Sequence, residues 1–250
     1  METHFIKCIN CVKEGCPLKC CSDDWLEKLD KYKKSFCYPA RECFVREGSH
    51  SSGLYFIYNG KVKLTTTGIN DKEQIIGFAG TEDFIDLGFA DSHRVQFNAV
   101  TLEETYVAFL DKEIMQETLY TNPGMIYALL NRYSEGLRKM EYRLKCLAQM
   151  NIRERVAEAL LFLEYSFGLN EHQALNAEVT RQDIADLAGT QIDHISRNLT
   201  SFEKEGLIER KQKQIIIKNK KGLKIILKNF GMPCFFNNQS TINQRYNKTG

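Results

Sequence analysis

Hydrophobic and polar positions change rhythm several times along this chain. A short helix is expected from about Asp23 to Lys34. From about Phe36 to Leu110 the apolar residues come in short β-rich runs: Gly53-Leu54-Tyr55-Phe56-Ile57-Tyr58, Lys61-Val62-Lys63-Leu64, Gln74-Ile75-Ile76-Gly77-Phe78 and Thr105-Tyr106-Val107-Ala108-Phe109-Leu110. Gly, Asn and Asp turns separate them, which is the spacing of a small β-barrel or sandwich. Asn59-Gly60 between two runs is a hairpin signal, since a type I′ turn needs positive φ at both central positions. After Pro123 the period lengthens. Ile126, Leu130, Tyr133, Leu137, Met140, Leu144 and Leu147 are spaced by alternating steps of four and three. That mean period of about 3.5 predicts a helix of ~24 residues, about 36 Å long, whose seam faces a second chain rather than its own core. A further amphipathic helix is expected from Arg153 to about Phe167, with Val156, Leu160, Leu163 and Phe167 on one stripe and Gly168 as its stop.

The segment Val179 to Asn219 is the most informative. Thr180-Arg181-Gln182-Asp183 has capping-box spacing and predicts a helix over Arg181–Ala188, closed by Gly189 in the left-handed conformation. Thr190-Gln191-Ile192-Asp193 reads as a second capping box opening a helix to about Glu205. Two helices joined by so short a turn make a helix-turn-helix. Ile195, Leu199 and Phe202 form the buried stripe of its second helix, and Ala185 suits a close crossing. Asp193, Ser196 and Arg197 share the other face near the N-terminal end, the part that enters a major groove. Arg can fork onto guanine O6 and N7, a carboxylate accepts from cytosine N4, and Ser can bond a base or a phosphate. Arg181, Thr180, Gln191 and His194 flank these positions. Gly206 to Ile217 reads as a β-hairpin wing. Lys211, Lys213, Lys218, Lys220 and Lys221 stand on or beside it as candidate phosphate contacts, against the plainer reading of a solvated face.

Composition adds constraints. Of the 250 residues 43% are hydrophobic and 26% charged, a globular balance that can bury a sizeable core. The net charge of +2 means that any DNA binding must come from a local site. There is no apolar run of about 18 residues to span a membrane. No signal-peptide pattern is visible from Met1 to Lys13, so the expectation is a cytoplasmic protein. Nine cysteines are many for that compartment, and Cys8, Cys11, Cys16, Cys20 and Cys21 crowd the start. An odd total points away from a disulfide framework and towards metal, thiol redox chemistry or no role.

Thr180-Arg181-Gln182-Asp183-Ile184-Ala185, His194-Ile195-Ser196-Arg197 and Phe202-Glu203-Lys204-Glu205-Gly206-Leu207-Ile208 together resemble the CRP/FNR family of bacterial regulators, its FNR-like branch in particular. Gly53 to Lys63, Glu73 to Phe78 and Arg153-Glu154-Arg155-Val156-Ala157 extend the likeness over nearly the whole chain to about Lys228. The resemblance implies an α+β architecture. A Cys-rich segment (1–35) leads into a cupin-like β-roll sensor (36–122), a dimerisation helix (123–150) and a winged helix-turn-helix (151–230), with a disordered polar tail (231–250). It also implies homodimers on palindromic double-stranded DNA operators and contact with RNA polymerase. FNR-like members carry Glu-x-x-Ser-Arg on the recognition helix, whereas Asp193 here is one methylene shorter.

The expected signal is less defined. Cyclic-nucleotide-binding relatives use a Gly-Glu-Leu turn and a downstream Arg-Ser pair. The matching stretches, Phe84-Ile85-Asp86-Leu87-Gly88-Phe89 and Gln96-Phe97-Asn98-Ala99, lack both the Glu and the Arg, so a cyclic nucleotide is not expected. Cys8-x2-Cys11-x4-Cys16 resembles the ligands of an FNR iron–sulfur cluster, with Cys20 or Cys21 as the fourth. Its second gap is one residue short, and Ala108 stands where the family's own fourth cysteine falls. Zinc, thiol redox chemistry or no cofactor are the alternatives. Two other functions are weighed: a ligand-free winged-helix repressor, and a metal-dependent cupin-type enzyme. The enzyme lacks a His-x-His set among His4, His50, His93, His172 and His194.

Overall fold

The computed structural model describes residues 7–10, 15–50, 52–88, 94–212 and 214–227. Two 3-10 turns, Cys8–Asn10 and Pro17–Cys20, precede α1 (Asp23–Tyr32). Eight strands follow: β1 (Lys34–Tyr38), β2 (Cys43–Val45), β3 (Gly53–Asn59), β4 (Lys61–Thr67), β5 (Glu73–Gly80), β6 (Phe84–Asp86), β7 (Asn98–Thr101) and β8 (Thr105–Asp111). Then come α2 (Lys112–Thr121), α3 (Pro123–Gln149), α4 (Ile152–Phe167), α5 (Arg181–Ala188), α6 (Ile192–Lys204), β9 (Ile208–Lys211), β10 (Gln214–Ile217) and α7 (Lys220–Ile226). The tail expected after Phe230 lies outside the described residues.

The eight strands form two antiparallel four-stranded sheets, ordered β1-β8-β3-β6 and β2-β7-β4-β5. Their facing side chains, Ile57, Val62, Ile85, Ala99 and Val107 among them, are buried between the sheets. This is the β-roll of the expected α+β fold. One turn is corrected. Asn59-Gly60 does not close a hairpin, because β3 and β4 belong to different sheets. The chain crosses from one sheet to the other there. Gly60 has φ of 121°, and a Cβ at that point would stand 2.8 Å from Thr105 Cα. The hairpin lies one strand later, between β4 and β5, around a turn at Ile69–Asp71.

A second core packs α1, α2 and the first turn of α3 on the outer side of β3 and β8, through Leu29, Leu54, Leu110, Met115 and Met125. The third joins Ile75 of β5, Tyr142 and Cys146 of α3, α4, and the buried faces of α5 and α6. Helix α4 differs from the one-stripe expectation: every residue from Val156 to Glu164 is buried. It is covered because β5, α5, α6 and α7 pack on it and Arg143 of α3 reaches its Glu158. Among the described residues no helix is long and apolar enough to cross a membrane.

Candidate nucleic-acid interface

Helix α5 opens with both bonds of a capping box. The Asp183 N–H donates to Thr180 Oγ1 at 3.0 Å, and the Thr180 N–H donates to Asp183 Oδ2 at 2.7 Å. Gly189 ends it at φ 59° and ψ 46°, a left-handed geometry that costs glycine little. The second expected capping box does not form. The Thr190 N–H is used to close α5 on the Ala185 carbonyl at 3.0 Å, so α6 starts one residue later. Gln191 becomes its N-cap, without a side-chain cap bond. This leaves the Asp193 carboxylate exposed with no cap to serve.

Ile195, Leu199 and Phe202 are buried, and their spacing turns Asp193 and Arg197 outward, with His194 and Ser196 half-buried beside them. Arg197 lies along its own helix. Its Nη2 is 3.1 Å from His194 Nδ1, and its Nε donates to the Asp193 carbonyl at 3.3 Å. Gln191, Thr180 and Arg181 are exposed at the starts of the two helices. The wing is an antiparallel pair, Gln214 opposite Lys211. Lys213 lies outside the described residues. Lys211 and Lys218 share Glu209, at 3.1 and 2.6 Å, and Lys220 meets Glu164 at 2.5 Å. Two groups unread in the sequence brace this unit. Arg210 at the root of the wing binds Glu203 of α6 at 2.5 Å, and Arg153 of α4 binds Glu205 at 2.6 Å.

Along α3, Ile126, Leu130, Tyr133, Leu137, Met140 and Leu144 stand in one stripe. Leu130, Leu137, Met140 and Leu144 are 59, 60, 53 and 71% exposed, so no described residue of this chain covers them. Two members depart from the simple seam. Leu147 is half-buried near Gly189. Tyr133 turns to its own β-roll, donating to Asp86 Oδ2 and meeting Phe84 edge-on at 5.5 Å. Burial, and then the Asp86 carboxylate, push the Tyr133 hydroxyl upward, so it stays a donor.

Between β5, β6 and α3 is a cavity of about 460 Å³, lined by Phe78, Phe84, Phe97 and Phe162 with Met140 and Gly136. Its volume suits a small molecule. Its charges do not suit a phosphate. Asp83, Asp86 and Glu135 line it. Among the described residues each of its cations has a partner: Arg132 the Gly15 carbonyl and Asp83, Lys139 the Tyr165 ring, Arg143 buried Glu158. Arg94 donates instead to the Gly48 carbonyl at 2.7 Å.

Of the cysteine set, Cys8, Cys16 and Cys20 are described and Cys11 is not. Cys8 and Cys16 are half-buried, Cys20 is exposed and Cys21 lies buried on Met125, its Sγ 3.6 Å from the sulfur. Burial pushes the Cys20 thiol up. Burial, then Cys20 and Cys8, push Cys21 to about 12. Among the described residues no three His, Cys, Asp or Glu side chains are grouped to hold a metal.

A β-roll joined by a long bare-faced helix to a winged helix-turn-helix with an outward Asp-x-x-Ser-Arg face defines a class, the two-domain DNA-binding regulators. Residues 36–122 match the cyclic nucleotide-binding domain, and residues 154–226 match the Crp-like helix-turn-helix domain. The chain belongs to the CRP/FNR family of transcription regulators. It is 29% identical over 197 residues to electron transport regulator A of Shewanella oneidensis, covering 78% of this chain and 76% of that protein. It is 26% identical over 198 residues to the CRP-like cAMP-activated global transcriptional regulator of Mycobacterium tuberculosis, covering 78% and 88%. FixK2 from Bradyrhizobium japonicum shares the fold, with a TM-score of 0.69 at 22% identity over 78% of this chain and 96% of that one. These relatives are regulators, which sets aside the cupin-type enzyme.

Proposed function

We propose that this regulator is a cytoplasmic homodimer that reads palindromic operators with α6. The observation that carries the reading is the exposed N-terminal face of α6, with Asp193 and Arg197 turned away from the buried Ile195–Leu199–Phe202 stripe. Arg197 forks onto a guanine and Asp193 accepts from a cytosine amine, with Ser196 beside them. Arg181, Thr180, Gln191, His194 and the wing's Lys213 hold phosphates, which fix register without reading sequence. The uncovered α3 stripe pairs two copies, and contact with RNA polymerase follows the family. The Asp193-x-x-Ser196-Arg197 pattern supports the FNR-like branch.

We infer further that the β-roll of this chain answers to a signal other than a cyclic nucleotide. A cyclic phosphate brought to the cavity meets Asp83 and Asp86 and finds no uncommitted cation among the described residues. Anaerobic purification with an absorption spectrum and iron and zinc analysis tests the cysteine segment separately. Selection of bound duplexes from a random pool tests the DNA reading. Two inverted half-sites, each with an essential G·C pair, are expected. Enrichment of a single unrepeated site, or of none, overturns it.

A further inference from the structure

Lys63 presents a puzzle. It sits in the middle of β4 between Val62 and Leu64, on the face that strand alternation assigns to solvent, yet it is 8% exposed. A buried ammonium needs a partner, and the sheet does not supply the nearest one. Lys63 Nζ donates at 2.7 Å to Asp183 Oδ1 in α5, while Glu73 is 3.7 Å away. Arg41, in the β1–β2 turn, reaches the other oxygen of Asp183 at 2.8 Å and the Glu178 carbonyl at 2.6 Å. Asp183, the capping acid of α5, is 3% exposed. Burial would raise this carboxyl. The bonds from Lys63, the Thr180 N–H and Arg41 outweigh that and hold it at about 2.

The other end of α5 is held as well. Gln74 of β5 donates to the Asp186 carbonyl, Arg143 of α3 to the Leu187 carbonyl, and Arg155 of α4 to the Gly189 carbonyl at 2.9 Å. Thus one sheet, through adjacent strands β4 and β5, grips both ends of the first helix of the helix-turn-helix. Between α3 and α4 the chain has only a short non-helical break at Met150 and Asn151, and a single break leaves a domain free to swing. A buried ion pair adds little net stability over apolar packing, and its best attested use is to fix register.

We propose that Lys63, Arg41 and Gln74 are positioning residues that lock the winged helix to the β-roll and so set the distance and phase between the two recognition helices. This rests on the homodimer reading above. None of the three residues lies on the reading face of α6, so the lock sets operator spacing rather than base preference. Half-site separation in such dimers follows protein geometry.

The test uses the full chain and duplexes carrying the selected half-site in inverted repeats at the selected spacing and at one and two base pairs more or less. The double variant Lys63→Gln with Arg41→Gln and the single variant Gln74→Ala are compared with the unaltered protein. Gln74→Ala removes no buried charge and reports on the other end of α5. Sedimentation first shows whether each protein is a dimer, which separates a failed dimer reading from a failed lock. For dimers, the unaltered protein is expected to prefer one spacing by about tenfold or more. The double variant is expected to flatten that preference to about threefold or less, and Gln74→Ala to weaken it part-way, with half-site base preference unchanged. Dimeric variants that keep the full spacing preference overturn the proposal.

Discussion

The winged helix and the β-roll each match a family model, but their charged groups are arranged to opposite ends. In the winged helix, Asp193, Arg197 and Arg181 stand outward, and the acids that brace the unit, Glu203 and Glu205, are spent on Arg210 and Arg153. Among the described residues lining the β-roll cavity, Arg132, Lys139 and Arg143 each have a partner, and Asp83, Asp86 and Glu135 stand beside them. On the reading proposed above, the shared fold carries a shared DNA chemistry in one half and a different ligand in the other. Function travels with the site residues, not with the architecture.

The largest effect expected is on the helix that joins the halves. Leu137→Glu places a carboxylate in the apolar stripe, where burial without a partner is costly. Sedimentation should give monomers, and palindrome binding should be lost with them. An intact dimer would mean that another surface joins the copies.

Next is the contact between the halves. Because Asp183 is held below its unfolded value, its contribution is full above about pH 4 and is lost as pH falls towards about 2. The contribution is of order 2 kcal/mol. Thermal midpoints of the unaltered protein and Asp183→Asn should differ at pH 5 and converge near pH 2. A constant difference would show that the carboxylate is not what matters.

A smaller effect is expected at the helix starts. Arg181→Ala should weaken all duplexes alike and lower the salt slope by about one. A change in base preference would move Arg181 to the reading face. Smallest of all, millimolar cyclic AMP should leave both the melting midpoint and operator affinity unchanged. A shift in either would place an anion in the cavity and erase the contrast between the halves.

What the sequence made legible follows from how local each signal is. The Thr180–Asp183 capping box, the Gly189 turn and the Ile195–Leu199–Phe202 stripe are set by neighbours in the chain, and each stands where expected. Asn59-Gly60 misled because hairpin chemistry and a sheet-crossing corner ask for the same glycine. The second capping box misled because the Thr190 N–H was already taken by α5. Lys63 was invisible: alternation assigns it to water, and only the docking of α5, from 120 residues further on, buries it. The packing of Tyr133 against Asp86 is likewise a long-range event that a heptad pattern does not encode.

The central claim is that Arg197 reads a guanine, and a double-mutant cycle tests it most directly. Affinities are measured for the unaltered protein and Arg197→Ala, each on the selected operator and on one with the essential guanine replaced in both half-sites. Either change alone is expected to cost about 1–3 kcal/mol per half-site, and the second to add almost nothing once the first is made. Full additivity, with Arg197→Ala still discriminating against the replaced base, would contradict it.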